Sequence, residues 1–275
     1  ICKQLASNGV FVVLTARDVN RGNEAIERLA SIGIFNVAFH PLDVVDGASA
    51  SSLADFVKAR FGKLDILIDE RAIKAQFALQ VNNAGITGAT YMKEDIVLTE
   101  DMIRGPKAKS MKEFFKETYE SAEKCLRTNY YGIKQLLLFY LFFNNRTCQK
   151  LSTSPLALYI PDENIKEELN DIDSLAEEKV DSLVARFLKD MKENAVETGG
   201  WPILLSAYIV SKVALNAYTR VMATKYPGIA INAVHPGYIK TDLSHNIGSP
   251  VEEGARGPVT VALMPKDGPS GVFFN

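Results

Sequence analysis

Two residues four positions apart, Tyr208 and Lys212, are of the types needed for acid–base chemistry on a carbonyl or an alcohol. Apolar residues recur three and four positions apart around them, and Ser206 comes just before, which predicts a helix capped by Ser206. On such a helix the phenol and the ammonium share one face. A nearby ammonium favours the phenolate and lowers the pKa of a tyrosine from its ordinary value of about 10. The pair could therefore exchange a proton with a substrate near neutral pH.

The same spacing occurs at Tyr130 and Lys134, so spacing alone does not select the reacting pair. For either pair the alternative is an amphipathic helix whose lysine stem packs along apolar surface. The segments that follow favour Tyr208, because its helix leads into an apolar stretch typical of a buried strand, residues 228–234, and then into the loop 235–241. A strand and polar loop in this order are typical of the ligand-binding edge of a parallel α/β sheet.

Strands and helices alternate through the first 68 residues. The predicted strands are 10–15, 36–42 and 64–68, the predicted helices are 20–30 and 49–61, and residues 1–9 read as the end of a helix stopped by Gly9. This alternation predicts an α/β fold with a doubly wound parallel sheet of the Rossmann type. We expect one domain, 1–275, with a helical insertion at 162–198, a last helix at 250–263 and a short final strand. The polar stretch 91–124 is expected to be a helical surface excursion.

The composition excludes several classes of partner. A net charge of −2 and a pI of about 6.0 indicate neither a nucleic-acid nor an anionic-membrane surface. The longest apolar run, residues 136–143, is too short to cross a bilayer. Three widely separated cysteines suit a reducing compartment, so the expected location is the cytoplasm, and they predict no metal site.

Four motifs in this order resemble those of the short-chain dehydrogenase/reductase family, in its plant carbonyl-reductase-like branch. They are Asn82-Asn83-Ala84-Gly85, Asn129 within Thr-Asn-Tyr-Tyr-Gly, Tyr208-x-x-x-Lys212 and Pro236-Gly237. The resemblance implies NADPH-dependent reduction of a small-molecule ketone to a secondary alcohol, or the reverse. It further implies that Tyr208 donates the proton, Lys212 assists it and holds the nicotinamide ribose, and Asn129 completes a proton relay.

The resemblance also implies a set of cofactor contacts. Arginines at the end of a Rossmann strand accommodate the 2′-phosphate of NADP, whereas an acid there binds the ribose hydroxyls of NAD, so Arg17 and Arg21 predict NADP(H). The remaining implied cofactor residues are Asp43, Val44, Asn82, Asn83, Ala84, Gly85, Lys212, Pro236, Gly237, Ile239 and Thr241.

The chain departs from the family pattern in three places. The first strand and glycine-rich turn of the family would lie before Ile1, and no such turn occurs elsewhere in the chain, so neighbouring strands are expected to lose a partner. Charged residues within 69–80 are expected to interrupt the strand that ends at 68. Residues 144–150 are polar where the family has an apolar strand that ends in the catalytic serine, so no buried strand is expected there.

These departures affect the predicted site and the predicted function. By register, Thr153 is the predicted catalytic hydroxyl, flanked by Ser152 and Ser154, and the alternative is a turn without a role. The alternative for the whole protein is a truncated or mis-spliced relative without enzymatic activity. In the resembling branch an insertion like 162–198 covers the face that other members use to dimerise, which predicts a monomer.

Overall fold

A computed structural model describes most of the chain. The described residues are 1–70, 86–92, 106–143, 148–152, 156–171, 174–237, 239–240, 248–265 and 267–274. Their α-helices are α1 (Cys2–Ser7), α2 (Val19–Ser31), α3 (Gly47–Phe61), α4 (Pro106–Met111), α5 (Tyr119–Leu126), α6 (Gly132–Phe143), α7 (Glu163–Asn170), α8 (Glu177–Lys192), α9 (Ser206–Lys225) and α10 (Val251–Ala262). Their strands are β1 (Val12–Ala16), β2 (Val37–Pro41), β3 (Ile66–Glu70), β4 (Ala89–Tyr91), β5 (Phe115–Glu117), β6 (Cys148–Ser152), β7 (Ile231–Val234) and β8 (Phe273–Phe274).

The first strands and helices agree with the sequence prediction to within about two residues. Strands β1 and β2 pair in parallel, with Val12 opposite Val37 and Ala16 opposite Pro41. Helix α1 ends where Gly9 adopts a left-handed backbone with φ of 81°, which a glycine tolerates without a steric penalty. The alternation of strand and helix therefore produces the parallel α/β arrangement that the pattern indicated.

The second sheet is parallel throughout, with the strand order β3-β6-β7-β8. Strand β6 lies inside it, with Cys148 opposite Ile66 and Gln149 opposite Ile231. The prediction that the polar residues around 144–150 cannot form a buried strand is therefore wrong from Cys148 onward. Flanking strands on both sides offer backbone partners to the segment between them, and such tertiary pairing overrides a weak strand pattern.

The strand before the charged segment also extends further than predicted. Strand β3 continues through Asp69 and Glu70, which lie in register with Leu151 and Ser152 of β6. The expected interruption at residue 69 is therefore wrong for these two residues, because backbone ladder bonds do not depend on the side chain. The rest of that segment, residues 71–80, lies outside the described residues.

Strands β1 and β3 belong to separate ladders among the described residues. One hydrophobic cluster nevertheless joins the two sheets, since it includes Leu5 of α1, Val12 of β1, Ile68 of β3 and Val259 of α10. Burial of these side chains from water holds the β1–β2 sheet against the sheet that contains β3.

Part of the segment 91–124 is not helical as predicted. Strands β4 and β5 form an antiparallel pair, with Ala89 opposite Glu117 and Tyr91 opposite Phe115. Phe115 is buried, which ties this excursion to the core. The expectation of a helical surface stretch is therefore wrong for Tyr91 and for β5, although α4 and α5 flank β5 as helices.

The predicted insertion at 162–198 forms α7 and α8. Helix α8 packs against α9 and α5. Its buried stripe consists of Val180, Leu183, Val184, Phe187 and Met191. The prediction of a packed cover helix is confirmed. None of the helices in the described ranges is long and apolar enough to cross a membrane.

Candidate active site

Helix α9 carries Tyr208 and Lys212 on one face, as the spacing predicts. The Lys212 ammonium nitrogen lies 5.6 Å from the centre of the Tyr208 ring. Lys212 is 1% exposed, whereas Tyr208 is only half-buried. Lysine is almost never fully buried unless it is paired, so the burial of Lys212 beside Tyr208 makes it a candidate functional residue.

Asn129 lies in a π-helical turn, Arg127–Tyr131, that joins α5 to α6. Such turns widen a helix locally and occur often at functional sites. The buried Asn129 side chain accepts a hydrogen bond from the Ile86 N–H at 3.0 Å and donates one to the Ile86 carbonyl at 2.9 Å. It therefore holds the backbone of the residue that directly follows the Asn-Asn-Ala-Gly motif.

Ser211 connects Asn129 to the helix that carries Tyr208. The Asn129 amide nitrogen donates to the Ser211 hydroxyl oxygen at 3.1 Å, and that hydroxyl donates to the Tyr208 carbonyl at 2.7 Å. Ser211 was not among the site residues predicted from the sequence. Its position between Tyr208 and Lys212 was the available signal, because one helical turn brings its hydroxyl within reach of the Tyr208 carbonyl.

The start of α9 differs from the prediction that Ser206 caps it. The N-cap is Leu205, and Ser206 is the first helical residue. The Ser206 hydroxyl instead donates at 2.8 Å to the carboxylate of Glu117, at the end of β5. Burial raises the pKa of this carboxyl, although its hydrogen bonds from Ser206 and Ala207 act in the opposite direction. Sequence reasoning also missed Glu117, because an acid in a polar stretch gives no sign of being turned inward.

The second tyrosine–lysine pair has a different environment. The Tyr130 hydroxyl donates to Asp181 of α8 at 2.8 Å, and the Lys134 ammonium contacts both Asp181 oxygens at 2.8 and 2.7 Å. Lys134 also pairs with Glu177 at 3.0 Å. Burial, followed by the Asp181 charge, raises the pKa of Tyr130, which is the wrong direction for a proton donor near neutral pH. This pair therefore holds α8 against the core, and its lysine is paired with two acids instead of only packing along apolar surface.

Two exposed arginines follow β1: Arg17 directly after the strand, and Arg21 in the first turn of α2. The neighbouring acid, Asp18, is the N-cap of α2, where it accepts the Arg21 N–H at 3.0 Å. Its other oxygen lies 3.9 Å from the Arg21 side chain. Positive groups thus dominate this strand end, which fits a phosphate better than a pair of ribose hydroxyls.

The segment after β2 lies against the start of α6. Gly132 packs on Val44 so closely that a β-carbon on Gly132 would come within 2.9 Å of the valine side chain. Val44 is buried, and Asp43 is half-buried with its carboxylate accepting the Val45 N–H at 3.1 Å. This loop is therefore fixed in place beside the π-helical turn that carries Asn129.

After β7 the chain passes through Pro236 and Gly237, whose φ is 85°. Ile239 is buried and bridges to Ser249. Ser152 ends β6 in register with Val234, so the two chains leave the same edge of the sheet. The predicted residues Asn82, Asn83, Ala84, Gly85, Thr153 and Thr241 lie outside the described residues. In the described ranges, His, Cys, Asp and Glu side chains form no cluster of three or more that could hold a metal.

Comparison with known proteins agrees with this arrangement. A profile of short-chain dehydrogenases matches residues 1–104, and one described as enoyl-(acyl carrier protein) reductase matches residues 195–259. The chain is 48% identical to short-chain dehydrogenase/reductase 1 of Saponaria officinalis, over 100% of this chain and 88% of that protein. It is 44% identical to (+)-neomenthol dehydrogenase of Capsicum annuum, over 99% of this chain and 90% of that protein.

A solved structure gives the same result. Salutaridine reductase from Papaver somniferum superposes with a TM-score of 0.85 at 42% identity, covering 100% of this chain and 94% of that one. The Rossmann-type fold and these relatives define an oxidoreductase of a class that binds a nicotinamide cofactor. The chain belongs to the short-chain dehydrogenase/reductase family.

Proposed function

We propose that the protein is an NADPH-dependent reductase that converts a small-molecule ketone to a secondary alcohol, or catalyses the reverse, with Tyr208 as general acid. The observation that carries this proposal is the buried Lys212 ammonium, 5.6 Å from the Tyr208 ring. An ammonium so placed and shielded from water stabilises negative charge on the phenol oxygen. Tyr208 is therefore suited to give up a proton and to take it back.

The other residues have supporting roles in this proposal. Asn129 would relay protons between Lys212 and solvent, and its contacts with Ile86 and Ser211 support a fixed position for its amide. Thr153 would polarise the substrate oxygen as the hydroxyl that follows β6. The names of the relatives, salutaridine reductase and (+)-neomenthol dehydrogenase, support a small organic ketone or alcohol as the substrate.

NADP(H) is the cofactor that the residues fit, and when bound it supplies the hydride that adds to the carbonyl carbon. Arg17 and Arg21 would hold the 2′-phosphate, and Lys212 would hold the nicotinamide ribose. The remaining cofactor contacts would come from Asp43, Val44, Asn82, Asn83, Ala84, Gly85, Pro236, Gly237, Ile239 and Thr241.

The alternative of a catalytically impaired relative loses one of its three grounds. It rested partly on the absence of the strand that leads to the active-site hydroxyl, and β6 occupies that place between β3 and β7. The ordered link from Asn129 through Ser211 to Tyr208 supports an active enzyme.

Replacing Lys212 by methionine tests the proposal. We expect kcat for NADPH-dependent ketone reduction to fall by about 10²–10⁴, the usual range for loss of acid–base assistance. NADPH affinity should fall as well, because the lysine is proposed to contact the ribose. Lys189→Met is the matched control, since Lys189 is exposed on α8. Turnover in Lys212→Met close to that of the control would refute the proposed chemistry.

We also propose that the protein is a monomer. Helix α8 packs over α9 and α5 with its apolar stripe, which supports the idea that this face has no room for a second copy. Sedimentation of the purified protein would test it, and a stable dimer would contradict it.

A further inference from the structure

The first turn of α9 has backbone donors that need an acceptor from outside the helix. The N–H groups of Ser206 and Ala207 are at the start of the helix, where no carbonyl lies four residues earlier within it. Both residues are buried, so water does not readily satisfy them. The N-cap, Leu205, has an apolar side chain and a left-handed backbone, with φ of 50° and ψ of 35°. A leucine cannot accept a capping hydrogen bond.

Glu117 provides the missing acceptor from another part of the chain. One carboxylate oxygen accepts the Ser206 N–H at 3.0 Å and the Ser206 hydroxyl at 2.8 Å. The other oxygen accepts the Ala207 N–H at 3.2 Å. The carboxylate thus receives three hydrogen bonds from the first two residues of α9. A negative group is favourable at this end of a helix, because the helix dipole is positive there.

Glu117 is itself held by structure on both sides. Its backbone pairs with Ala89 across the β4–β5 ladder. The next residue, Thr118, caps α5 through a reciprocal pair of hydrogen bonds with Ser121. Ser121 in turn donates to the carbonyl of Gly88 at 2.6 Å. The Glu117 carboxylate is therefore carried by a residue whose backbone is fixed by the β4–β5 ladder on one side and by the cap of α5 on the other.

Gly88 allows the start of β4 to pack directly against α9. A β-carbon at Gly88 would lie 2.8 Å from Cys125 of α5 and 3.2 Å from the Ala207 side chain, and the φ of Gly88 is 70°. Only glycine meets both conditions without strain. Gly88, which directly precedes β4, therefore lies in van der Waals contact with α5 and α9, beside the residues that Glu117 caps.

Tyr208 directly follows the two capped residues. Its carbonyl is held from the other side by the Ser211 hydroxyl, which Asn129 holds in turn. We propose that Glu117 is a positioning residue that sets the entry of α9 and thereby the placement of the Tyr208 phenol. This inference rests on the proposed role of Tyr208. A displacement of about 1 Å at a reacting group can cost up to about 10²-fold in rate.

Glu117→Gln is the informative change, because it keeps the size of the side chain. Glutamine has a single acceptor oxygen, and its amide group would face one of the donors of α9 as a second donor. We expect kcat to fall by about 10- to 100-fold, while KM for the ketone and Kd for NADPH change by less than about threefold. The matched control is Glu113→Gln, since Glu113 is exposed and lies four residues before Glu117, the last residue of β5.

Hydrogen exchange measures the cap without requiring turnover. In Glu117→Gln the amides of Ser206 and Ala207 should exchange faster than in the unaltered chain, because their acceptor is lost. The control should leave their exchange unchanged. If Glu117→Gln does not fold, Ser206→Ala removes one of the three hydrogen bonds and should lower kcat by about threefold.

The outcomes separate this inference from the proposed function. Unchanged exchange at Ser206 and Ala207, or an unchanged kcat in Glu117→Gln, would overturn the role of Glu117 while the role of Tyr208 stands. A loss of kcat matched by an equal rise in KM or Kd would also overturn it, because it would indicate a general structural effect. Failure of Lys212→Met to affect turnover counts against the proposed function itself, and the exchange measurement then decides whether Glu117 caps α9.

Discussion

Replacing each of two tyrosines by phenylalanine should give opposite results on activity and stability. In Tyr208→Phe the proton donor disappears, so kcat should fall by about 10²–10⁴, which corresponds to about 2.7–5.4 kcal/mol of transition-state stabilisation. Tyr208 is only half-buried, and phenylalanine keeps its ring. We therefore expect the free energy of unfolding to change by less than about 1 kcal/mol.

In Tyr130→Phe the loss should appear in stability instead. The hydroxyl donates to Asp181, a charged acceptor, and such hydrogen bonds contribute about 1.5–3 kcal/mol. Asp181 keeps two contacts with Lys134 after the change, and its side chain is 38% exposed, so solvent screens part of the effect. We expect a loss of about 1–2 kcal/mol in the free energy of unfolding, with kcat within about threefold of the unaltered chain.

The assay measures three quantities for both variants: kcat with a ketone and NADPH, Kd for NADPH, and the free energy of unfolding in urea. NADPH binding should survive both changes, because neither hydroxyl is proposed to contact the cofactor. Equal losses of kcat in the two variants would refute the assignment of Tyr208. A large fall of kcat in Tyr130→Phe at unchanged stability would show that the reacting pair is Tyr130 and Lys134.

Two further predictions concern charge. If Arg17 and Arg21 bind the 2′-phosphate, Arg17→Asp should lower the affinity for NADPH by at least about tenfold and leave the affinity for NADH no weaker. Equal affinities of the unaltered chain for NADPH and NADH would contradict the assignment. Burial raises the pKa of Glu117 above its ordinary value of 4.5. The stability contribution of this titration is therefore fully present below about pH 4.5 and is lost as the pH rises through the raised folded-state pKa. As the pH rises above about 4.5, the free energy of unfolding of the unaltered chain should fall relative to that of Glu117→Gln. A rise instead would show that the hydrogen bonds lower the pKa of Glu117 more than burial raises it.

Strand β6 illustrates where a sequence pattern is a poor guide. Its residues, from Cys148 to Ser152, lack the apolar run of a buried strand, yet the backbone pairs on both sides. Ladder hydrogen bonds come from N–H and C=O groups that every residue except proline possesses, so position between two strands can outweigh side-chain preference. Strand β3 continues through Asp69 and Glu70 for the same reason.

Several properties of this protein followed from the sequence by itself. The alternation of strands and helices, the cover helix α8 and the shared face of Tyr208 and Lys212 depend on local periodicity, which the chain carries in full. The order of the four motifs was enough to indicate the family. These features need no knowledge of distant contacts.

Tertiary structure alone decided which polar groups meet. Tyr130 and Tyr208 have the same local spacing to a lysine, and they differ because Asp181 reaches Tyr130 from a helix 51 residues away in the chain. Glu117 reaches the start of α9 from 89 and 90 residues away. The free energy of such a contact depends on burial and on the exact approach of two elements, and neither quantity is encoded in the neighbouring residues. The local pattern therefore predicts the helix that carries Tyr208, whereas only the packing of β4, β5, α5 and α8 around that helix separates the phenol proposed to react from the structural one.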